Sequence, residues 1–277
     1  MFIEVLKSVV IGIIQGITEW LPISSTGHMI LAEKLLSLKV SPDFWNMFKV
    51  VIQFGSILAV ITIYFHKLNP FSPKKSGDEK KKTYSLWAKV IVACIPAAVI
   101  GFLFEDLIDS VLSSTLVIAA TLIIYGIAFI IIENRKKTPK INDLDCLTYK
   151  QAFSIGMFQV LSLIPGTSRS GSTILGAIII GTKREVGTEF SFFLAVPVML
   201  GASALKLLKF ILKGAVISSI EWAVLISGFV VTFIVSIFAI KFLMSFIRKN
   251  DFKPFGIYRI ILGIIVAVSV FLGILPM

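Results

Sequence analysis

Long apolar runs make up most of the chain, and short polar segments separate them. Six of the runs approach the roughly 20 residues that an α-helix needs to cross a bilayer. We therefore predict an all-α, polytopic membrane protein with six transmembrane helices. They are expected near residues 46–65, 87–104, 115–132, 187–211, 222–244 and 257–275.

Two other apolar regions, residues 2–42 and 150–183, are each divided by a proline and a cluster of hydroxyl residues. In the first region the apolar pieces, Val5–Ile17 and Met29–Leu38, are too short to cross. Irregular backbone at membrane depth is tolerated only where it is buried in protein or lines a wet cavity. We therefore predict two re-entrant helix pairs, each of which enters and leaves the membrane by the same face.

The order of these elements repeats along a single membrane domain, residues 1–277. Repeat one covers 1–132, a cytoplasmic loop covers 133–149, and repeat two covers 150–277. Each half has one re-entrant pair and three spans, and three is odd, so the second half must be inserted upside down. Such an inverted-topology repeat predicts a site where the broken helices meet near the midplane.

Sequence identity between the two halves supports the repeat only weakly. Alignment of Pro22 with Pro165 sets Ser25 against Ser168, and few other residues are identical. The prediction therefore depends on the order of the elements, and the competing interpretation is a coincidental likeness of apolar segments.

Composition and charge agree with a membrane protein, since 56% of residues are hydrophobic and the mean hydropathy is +0.93. The net charge of +11 comes without a basic motif interleaved with aromatic residues, so no nucleic-acid partner is expected. The positive-inside rule assigns three basic loops, 67–89, 133–150 and 248–253, to the cytoplasmic side. The acidic turn Glu105–Asp109 is expected outside, and the lysine-rich segment 74–82 is expected near anionic lipid.

The first break combines hydroxyl groups with an acid and an imidazole. Gln15 and Glu19 are four residues apart, so they share one helix face, and Pro22 stops or kinks that helix. A helix that restarts near His28 would direct free N–H groups into the break, which is a site suited to anions. The polar side chains here are Gln15, Glu19, Ser24, Ser25, Thr26 and His28.

The second break offers the same geometry and adds a guanidinium. Arginine can hold phosphate oxygens with two parallel hydrogen bonds, and it is costly at membrane depth without an anionic partner. The two breaks together predict a cradle for a strongly anionic group. The residues expected to contribute from this break are Gly166, Ser168, Arg169, Ser170 and Thr173.

Each of these groups also has a purely structural interpretation. Glu19 and Arg169 are alternatively a buried ion pair that only holds the fold, and His28 is alternatively satisfied by a backbone carbonyl. Hydroxyl groups in membrane helices often hydrogen-bond back to carbonyls. Gln53 and Glu189 lie in apolar spans, where they either support the site or link neighbouring helices by hydrogen bonds.

The two breaks, Gln15–His28 and Pro165–Thr173, resemble the signature motifs of the undecaprenyl-diphosphate phosphatase family of the bacitracin-resistance type. The similarity continues through Val51–Val60, Glu189–Pro197 and Pro254–Arg259. It therefore covers essentially the whole chain in the expected order.

The resemblance implies a hydrolase of the bacterial cytoplasmic membrane, open to the outer face, that converts undecaprenyl diphosphate into undecaprenyl phosphate and phosphate. The product re-enters cell-wall synthesis, and the activity confers bacitracin resistance. The implied partners are the lipid substrate and membrane lipids, and a homodimer is left open. The alternative is a polyprenyl-phosphate flippase or transporter on the same inverted repeat, which would need the same anion cradle.

By this resemblance Ser25 is the nucleophile, His28 its acid/base partner, Glu19 the acidic residue and Arg169 the phosphate clamp. Attack by His28 itself, or by a water activated at Glu19, stays open. Contacts to the diphosphate are implied for Ser24, Thr26, Gly166, Ser168, Ser170 and Thr173.

The resemblance also implies a divalent cation, Mg²⁺ or Ca²⁺, with Glu19 and Gln15 as its protein ligands. Gln15 stands where many family members have a second glutamate. The cation is therefore held either through two carboxylates or through Glu19, the Gln15 oxygen and the substrate itself.

Overall fold

The computed structural model describes residues 1–135, 138–214 and 216–276, and within these ranges the chain forms eleven α-helices. They are α1 Phe2–Thr18, α2 Ser25–Leu36, α3 Pro42–Ile63, α4 Phe65–Leu68, α5 Gly77–Leu112, α6 Thr115–Asn134, α7 Tyr149–Val160, α8 Arg169–Ile179, α9 Arg184–Leu212, α10 Ser219–Ile247 and α11 Lys253–Phe271. A 3₁₀ turn, Leu161–Leu163, follows α7.

Six helices are long and apolar enough to cross a membrane, which confirms the predicted all-α, polytopic fold. They are α3, α5, α6, α9, α10 and α11. The helix pairs α1–α2 and α7–α8 occupy the regions where re-entrant pairs are predicted.

Helix α5 is longer at both ends than the sequence suggested. The expected loop 67–89 ends early because Ser76 and Glu79 form a reciprocal capping box that starts the helix at Gly77. Lys80, Lys81 and Lys82 therefore belong to the first turns of α5, whereas Lys74 and Lys75 precede the helix. The expected turn Glu105–Asp109 is also helical, since α5 continues to Leu112.

Some of the predictions fall on groups outside the described residues. They are the side chains of the acidic segment, Glu105, Asp106 and Asp109, and the basic residues Lys136 and Lys137.

Each of the following main helix contacts joins a helix of the first half to a helix of the second half. Helix α1 packs on α10, and its counterpart α7 packs on α5, while α3 packs on α9 and α6 packs on α11. A two-fold repeat divided in the loop 133–149 predicts this exchange of contacts. The division and the inversion of the halves across a membrane stay predictions.

The caps of the two short helices define the register of the repeat. Ser24 and Ser168 cap α2 and α8 with φ of 73° and 72°, which non-glycine residues seldom adopt, and accept hydrogen bonds from the amides of Gly27 and Gly171. Ser24 is thus the counterpart of Ser168, so the predicted match of Ser25 with Ser168 is wrong by one residue. The second break holds one more residue between its proline and its cap.

The three predicted basic loops meet at one end of the bundle. Lys82 pairs with Asp145 at 2.7 Å, while Glu133 pairs with Arg184 and accepts from the Phe252 amide. We call this the basic-loop end. Helices α3 and α9 run antiparallel, so the start of α3 and the end of α9 lie together at the opposite end.

Candidate active site

The two break loops, far apart in sequence, meet inside the helix bundle. Arg169 Nη2 donates to Glu19 Oε1 at 2.9 Å, and Ser170 Oγ donates to the Glu19 carbonyl at 3.2 Å. Glu19 is only 7% exposed. The predicted meeting of an acid from the first break with the guanidinium from the second is therefore present in the structure.

The other oxygen of Glu19 serves two groups from its own half. Gln15 Nε2 donates to Glu19 Oε2 at 3.0 Å, and Ser25 Oγ donates to the same atom at 3.3 Å. One buried carboxylate thus links the predicted nucleophile, the predicted phosphate clamp and the second predicted cation ligand.

Further contacts hold the guanidinium of Arg169 in position. Its Nη1 donates to the Ser191 carbonyl at 3.0 Å, and its central carbon lies 5.5 Å from the centre of the Trp20 ring. Trp20 is itself fully buried and packs edge-on against Phe192. The arginine therefore keeps a fixed orientation toward the break.

Two helix starts converge at this carboxylate, because Ser25 is the first residue of α2 and Arg169 is the first residue of α8. The first N–H groups of a helix have no intrahelical partner, and helix N-termini favour negative charge. The point occupied by the Glu19 carboxylate is consequently one where the fold stabilises an anion.

His28 lies on the next turn of α2, but its ring is held by other groups. Nδ1 is 2.7 Å from the Ser24 carbonyl, Nε2 is 2.7 Å from the Tyr258 hydroxyl, and the two rings are stacked. Within the described residues His28 makes no hydrogen bond to Ser25. Its role as the acid/base partner of Ser25 stays a prediction.

Most of the hydroxyl groups predicted to contact phosphate already bind protein. Ser24 and Ser168 cap their helices, and Ser170 ties the second break to the first. Thr173 Oγ1 donates to the Arg169 carbonyl at 2.9 Å and lies 2.6 Å from Ser191 Oγ. These groups shape the cradle as the structure stands.

Thr26 and Ser25, of which Ser25 also donates to Glu19, face a small cavity of about 140 Å³ that Gln15 and Gln53 line as well. Gln53 therefore lies at the site. Glu189, by contrast, pairs with Lys67 at 2.8 Å toward the basic-loop end.

Arg259 is the functional candidate that sequence reasoning missed. It is fully buried, and it donates to the carbonyls of Pro22 at 3.3 Å and of Gly166 and Thr167 at 3.0 Å. Arg259 therefore joins the two break loops through their backbones. The sequence signal that could have identified it is its position, since Arg259 is a charged residue at the start of an apolar run.

The residues at the site fit a divalent cation in one way only. Within the described residues no cluster of three or more His, Cys, Asp or Glu side chains could hold a metal ion. Gln15 directs its amide nitrogen, and not its oxygen, to Glu19, so a cation held by both side chains requires the Gln15 amide to turn over. Mg²⁺ commonly binds through one or two carboxylates together with substrate phosphates, so this donor set fits a substrate-bridged cation.

Comparison with known proteins decides the family. Residues 8–265 match the family described as Bacitracin resistance protein BacA. The chain belongs to this family. The chain is also similar to the undecaprenyl-diphosphatase of Enterococcus faecalis, with 59% identity over 267 residues, which cover 96% of this chain and 97% of the relative.

Two further relatives carry the same name. The undecaprenyl-diphosphatase of Latilactobacillus sakei is 56% identical over 98% of this chain and 99% of its own length. Undecaprenyl-diphosphatase 1 of Clostridioides difficile is 57% identical over 98% of this chain and 97% of its own length. These names favour a hydrolase over the flippase alternative.

Proposed function

We propose that this protein hydrolyses undecaprenyl diphosphate to undecaprenyl phosphate and phosphate, recycling the lipid carrier for cell-wall synthesis and conferring bacitracin resistance. One observation carries the proposal: Ser25 and Arg169, each at a helix start, contact the same buried carboxylate of Glu19. A hydroxyl nucleophile, an acceptor for its proton and a phosphate-binding guanidinium are thereby held together. Relatives at 53–59% identity that are named for this reaction support it.

The diphosphate competes with Glu19 for the guanidinium. Phosphate oxygens and carboxylate oxygens both suit the two-pronged donor geometry of arginine. When the terminal phosphate binds Arg169 and the free N–H groups at the start of α2, the Glu19 carboxylate loses its strongest partner. It then becomes a better acceptor for the proton of Ser25, which lies 3.3 Å away.

Ser25 Oγ then attacks the terminal phosphorus. The new Oγ–P bond forms as the bond from phosphorus to the bridging oxygen breaks, undecaprenyl phosphate leaves, and Glu19 holds the serine proton. A water molecule next attacks the phosphoserine, the Oγ–P bond breaks, and Glu19 returns its proton to Ser25 Oγ. The protons of the water leave with the released phosphate. Positioning and charge stabilisation supply most of the rate enhancement in phosphoryl transfer.

Glu19 and the Gln15 amide oxygen would hold a divalent cation, Mg²⁺ or Ca²⁺, together with the substrate phosphates. When bound, such a cation neutralises phosphate charge. Before the substrate binds, the ion pair with Arg169 holds the Glu19 carboxylate in place.

The site would open to the outer face of the bacterial cytoplasmic membrane. The three basic loops gather at one end of the bundle, which the positive-inside rule assigns to the cytoplasm. The Ser25 cavity extends from Gln53, half-way along α3, to Lys49, which lies nearer the start of α3. That end of α3 is opposite the basic-loop end, which supports an opening to the outer face.

The decisive experiment measures phosphate release by the purified protein from undecaprenyl diphosphate, with and without a chelator. We expect release that the chelator suppresses and that added Mg²⁺ or Ca²⁺ restores. No release above that of a Ser25→Ala variant would refute the hydrolase. Phosphate release that persists in the presence of the chelator would refute the requirement for a divalent cation.

A further inference from the structure

A groove lined by lysine side chains lies between the start of α3 and the last turns of α9, at the end opposite the basic loops. Its volume is about 430 Å³. Its polar lining consists of Asp43, Asn46, Lys49, Lys206, Lys209 and Lys213, and we call it the lysine groove. The four lysines outnumber the two acids that pair with them, Asp43 in the groove and Glu33 beside it, so the groove is positive.

The lysines on α9 lie three and four residues apart, so they share one face of the helix. Lys213 pairs with Asp43 at 2.8 Å. Neither Lys206 nor Lys209 forms an ion pair within the part of the chain that the structure describes. Two ammonium groups in the groove therefore lack a protein counter-charge there.

Membrane topology does not account for these lysines. The positive-inside rule predicts basic residues at the basic-loop end, whereas the lysine groove lies at the other end of the bundle. On the remaining faces of α9, Leu207, Leu208 and Ile211 are 41%, 52% and 61% exposed. Exposed aliphatic side chains beside a lysine face indicate that the groove adjoins lipid and that a lipid headgroup can reach it from the side.

The groove adjoins the Ser25 cavity through a shared residue. Lys49 lines both the lysine groove and the cavity that contains Ser25 and Gln53. Gln53 lies one helical turn deeper along α3 than Lys49. Lys49, which also pairs with Glu33 at 3.8 Å, therefore lies between the pair Lys206 and Lys209 and the cavity of Ser25.

We propose that the lysine groove is a second anion-binding site, which captures the diphosphate headgroup of the lipid substrate and passes it to the Ser25 cavity. This inference rests on the proposed function. Lysine binds phosphate as a point charge without the fixed geometry of an arginine fork, so the headgroup is attracted strongly but held loosely. Capture raises the local substrate concentration and takes no part in the chemical step.

The test compares the wild type with a Lys206→Gln/Lys209→Gln double variant in a neutral detergent. We expect the apparent KM for undecaprenyl diphosphate to rise by about fivefold or more, since each surface lysine contributes roughly fivefold to attraction of an anionic lipid surface. The kcat should stay within about twofold, and the difference in KM should shrink as salt is added. Lys249→Gln, at the basic-loop end, is the matched control and should change neither parameter.

Binding is measured separately from turnover, in a Ser25→Ala background, with the purified proteins in neutral detergent micelles. Undecaprenyl diphosphate added to the micelles should bind the Ser25→Ala/Lys206→Gln/Lys209→Gln protein more weakly than the Ser25→Ala protein. Phosphatidylglycerol added instead should bind both proteins equally, and a loss confined to phosphatidylglycerol would overturn the proposal. An unchanged KM, or a lower kcat at unchanged KM, would overturn it as well.

The two experiments separate the two hypotheses. If the wild type released no phosphate but the double variant still lost diphosphate-lipid binding, the proposed hydrolase would fail and the capture site would stand. If the wild type turned over and binding did not depend on Lys206 and Lys209, the capture site would fail alone.

Discussion

Ser25 and Arg169 occupy equivalent places in the two halves of the chain and contact the two oxygens of one carboxylate, that of Glu19. Each is the first residue of a short helix, and each follows a serine cap with positive φ. The same local backbone thus presents a hydroxyl on one side of the site and a guanidinium on the other. In the proposed reaction each half therefore contributes one of the two groups that act on the phosphate.

Replacement of Arg169 by alanine should reduce both turnover and stability. Phosphate release should fall on the order of 10²–10³-fold, by analogy with loss of an oxyanion donor. The fold should lose about 3–5 kcal/mol, because Glu19 becomes a buried charge without its partner. Phosphate release and thermal unfolding in detergent measure the two effects.

The double variant Arg169→Ala/Glu19→Gln separates these effects, since it removes both charges. Its stability should recover while turnover stays low. Arg248→Ala, an exposed arginine at the basic-loop end, is the control and should resemble the wild type. Near-normal turnover of Arg169→Ala would exclude the phosphate-clamp role.

The hypothesis that Ser25 is the nucleophile and the hypothesis that His28 is the nucleophile predict different results. Ser25→Ala should reduce turnover about 10³-fold or more, because the attacking oxygen is lost. After an acid quench, a ³²P label from the substrate should stay on Ser25, because phosphoserine survives acid. An acid-labile label that maps to His28 would contradict the assignment.

Tyr258→Phe tests whether the hydrogen bond to His28 takes part in proton transfer. The variant keeps the stacked ring and removes only the hydroxyl that lies 2.7 Å from Nε2. If Glu19 accepts the proton of Ser25, turnover should stay within about tenfold of the wild type, as expected for loss of one supporting hydrogen bond. A loss as large as that of Ser25→Ala would assign the proton transfer to His28.

Replacement of Arg259 should reduce the stability of the fold. Arg259→Met leaves the carbonyls of Pro22, Gly166 and Thr167 without their buried donor, at about 1–3 kcal/mol for each unsatisfied group. Thermal unfolding should shift to lower temperature, and Arg259→Lys should recover part of the loss. An unchanged unfolding temperature would show that Arg259 does not hold the loops together.

Gly166→Ala should disrupt the second break. Gly166 has φ of +85°, and an added Cβ would lie 2.2 Å from Thr121 Oγ1 and 2.8 Å from the Ile118 backbone. Such strain and overpacking cost about 2 kcal/mol or more. Gly201→Ala in α9 is the matched control, because nothing lies within 4 Å of its Cβ, and it should be neutral or slightly stabilising in thermal unfolding. Equal stability of the two variants would contradict the account of Gly166.

Most of the architecture could be predicted from hydrophobicity alone. Six apolar stretches of sufficient length predicted six helices, and the cost of charge in hydrocarbon predicted an anionic partner for Arg169, with an ion pair to Glu19 as one alternative. The ends of α5 were not predictable in this way. A polar capping box at Ser76 extends the helix beyond its apolar part, and hydropathy does not report caps.

Other parts of the site depend on contacts that a single sequence does not contain. The partners of Arg259 are backbone carbonyls, which leave no trace in residue identity. The register of the repeat depends on the positive φ of Ser24 and Ser168, whereas the prolines that suggested an alignment lie at unequal distances from those caps. Glu189 was a candidate because it is an acid in an apolar span, but it forms an ion pair with Lys67 in α4.

The cap register has one more consequence. In it, Glu19 falls opposite Leu163, so the acid of the first half has no equivalent in the second. Two copies of the first half would bring together two hydroxyls and no arginine, and two copies of the second half would bring together two arginines and no acid. Under the proposed mechanism, therefore, only the joined chain brings a hydroxyl, an acid and an arginine together, and neither half carries all three.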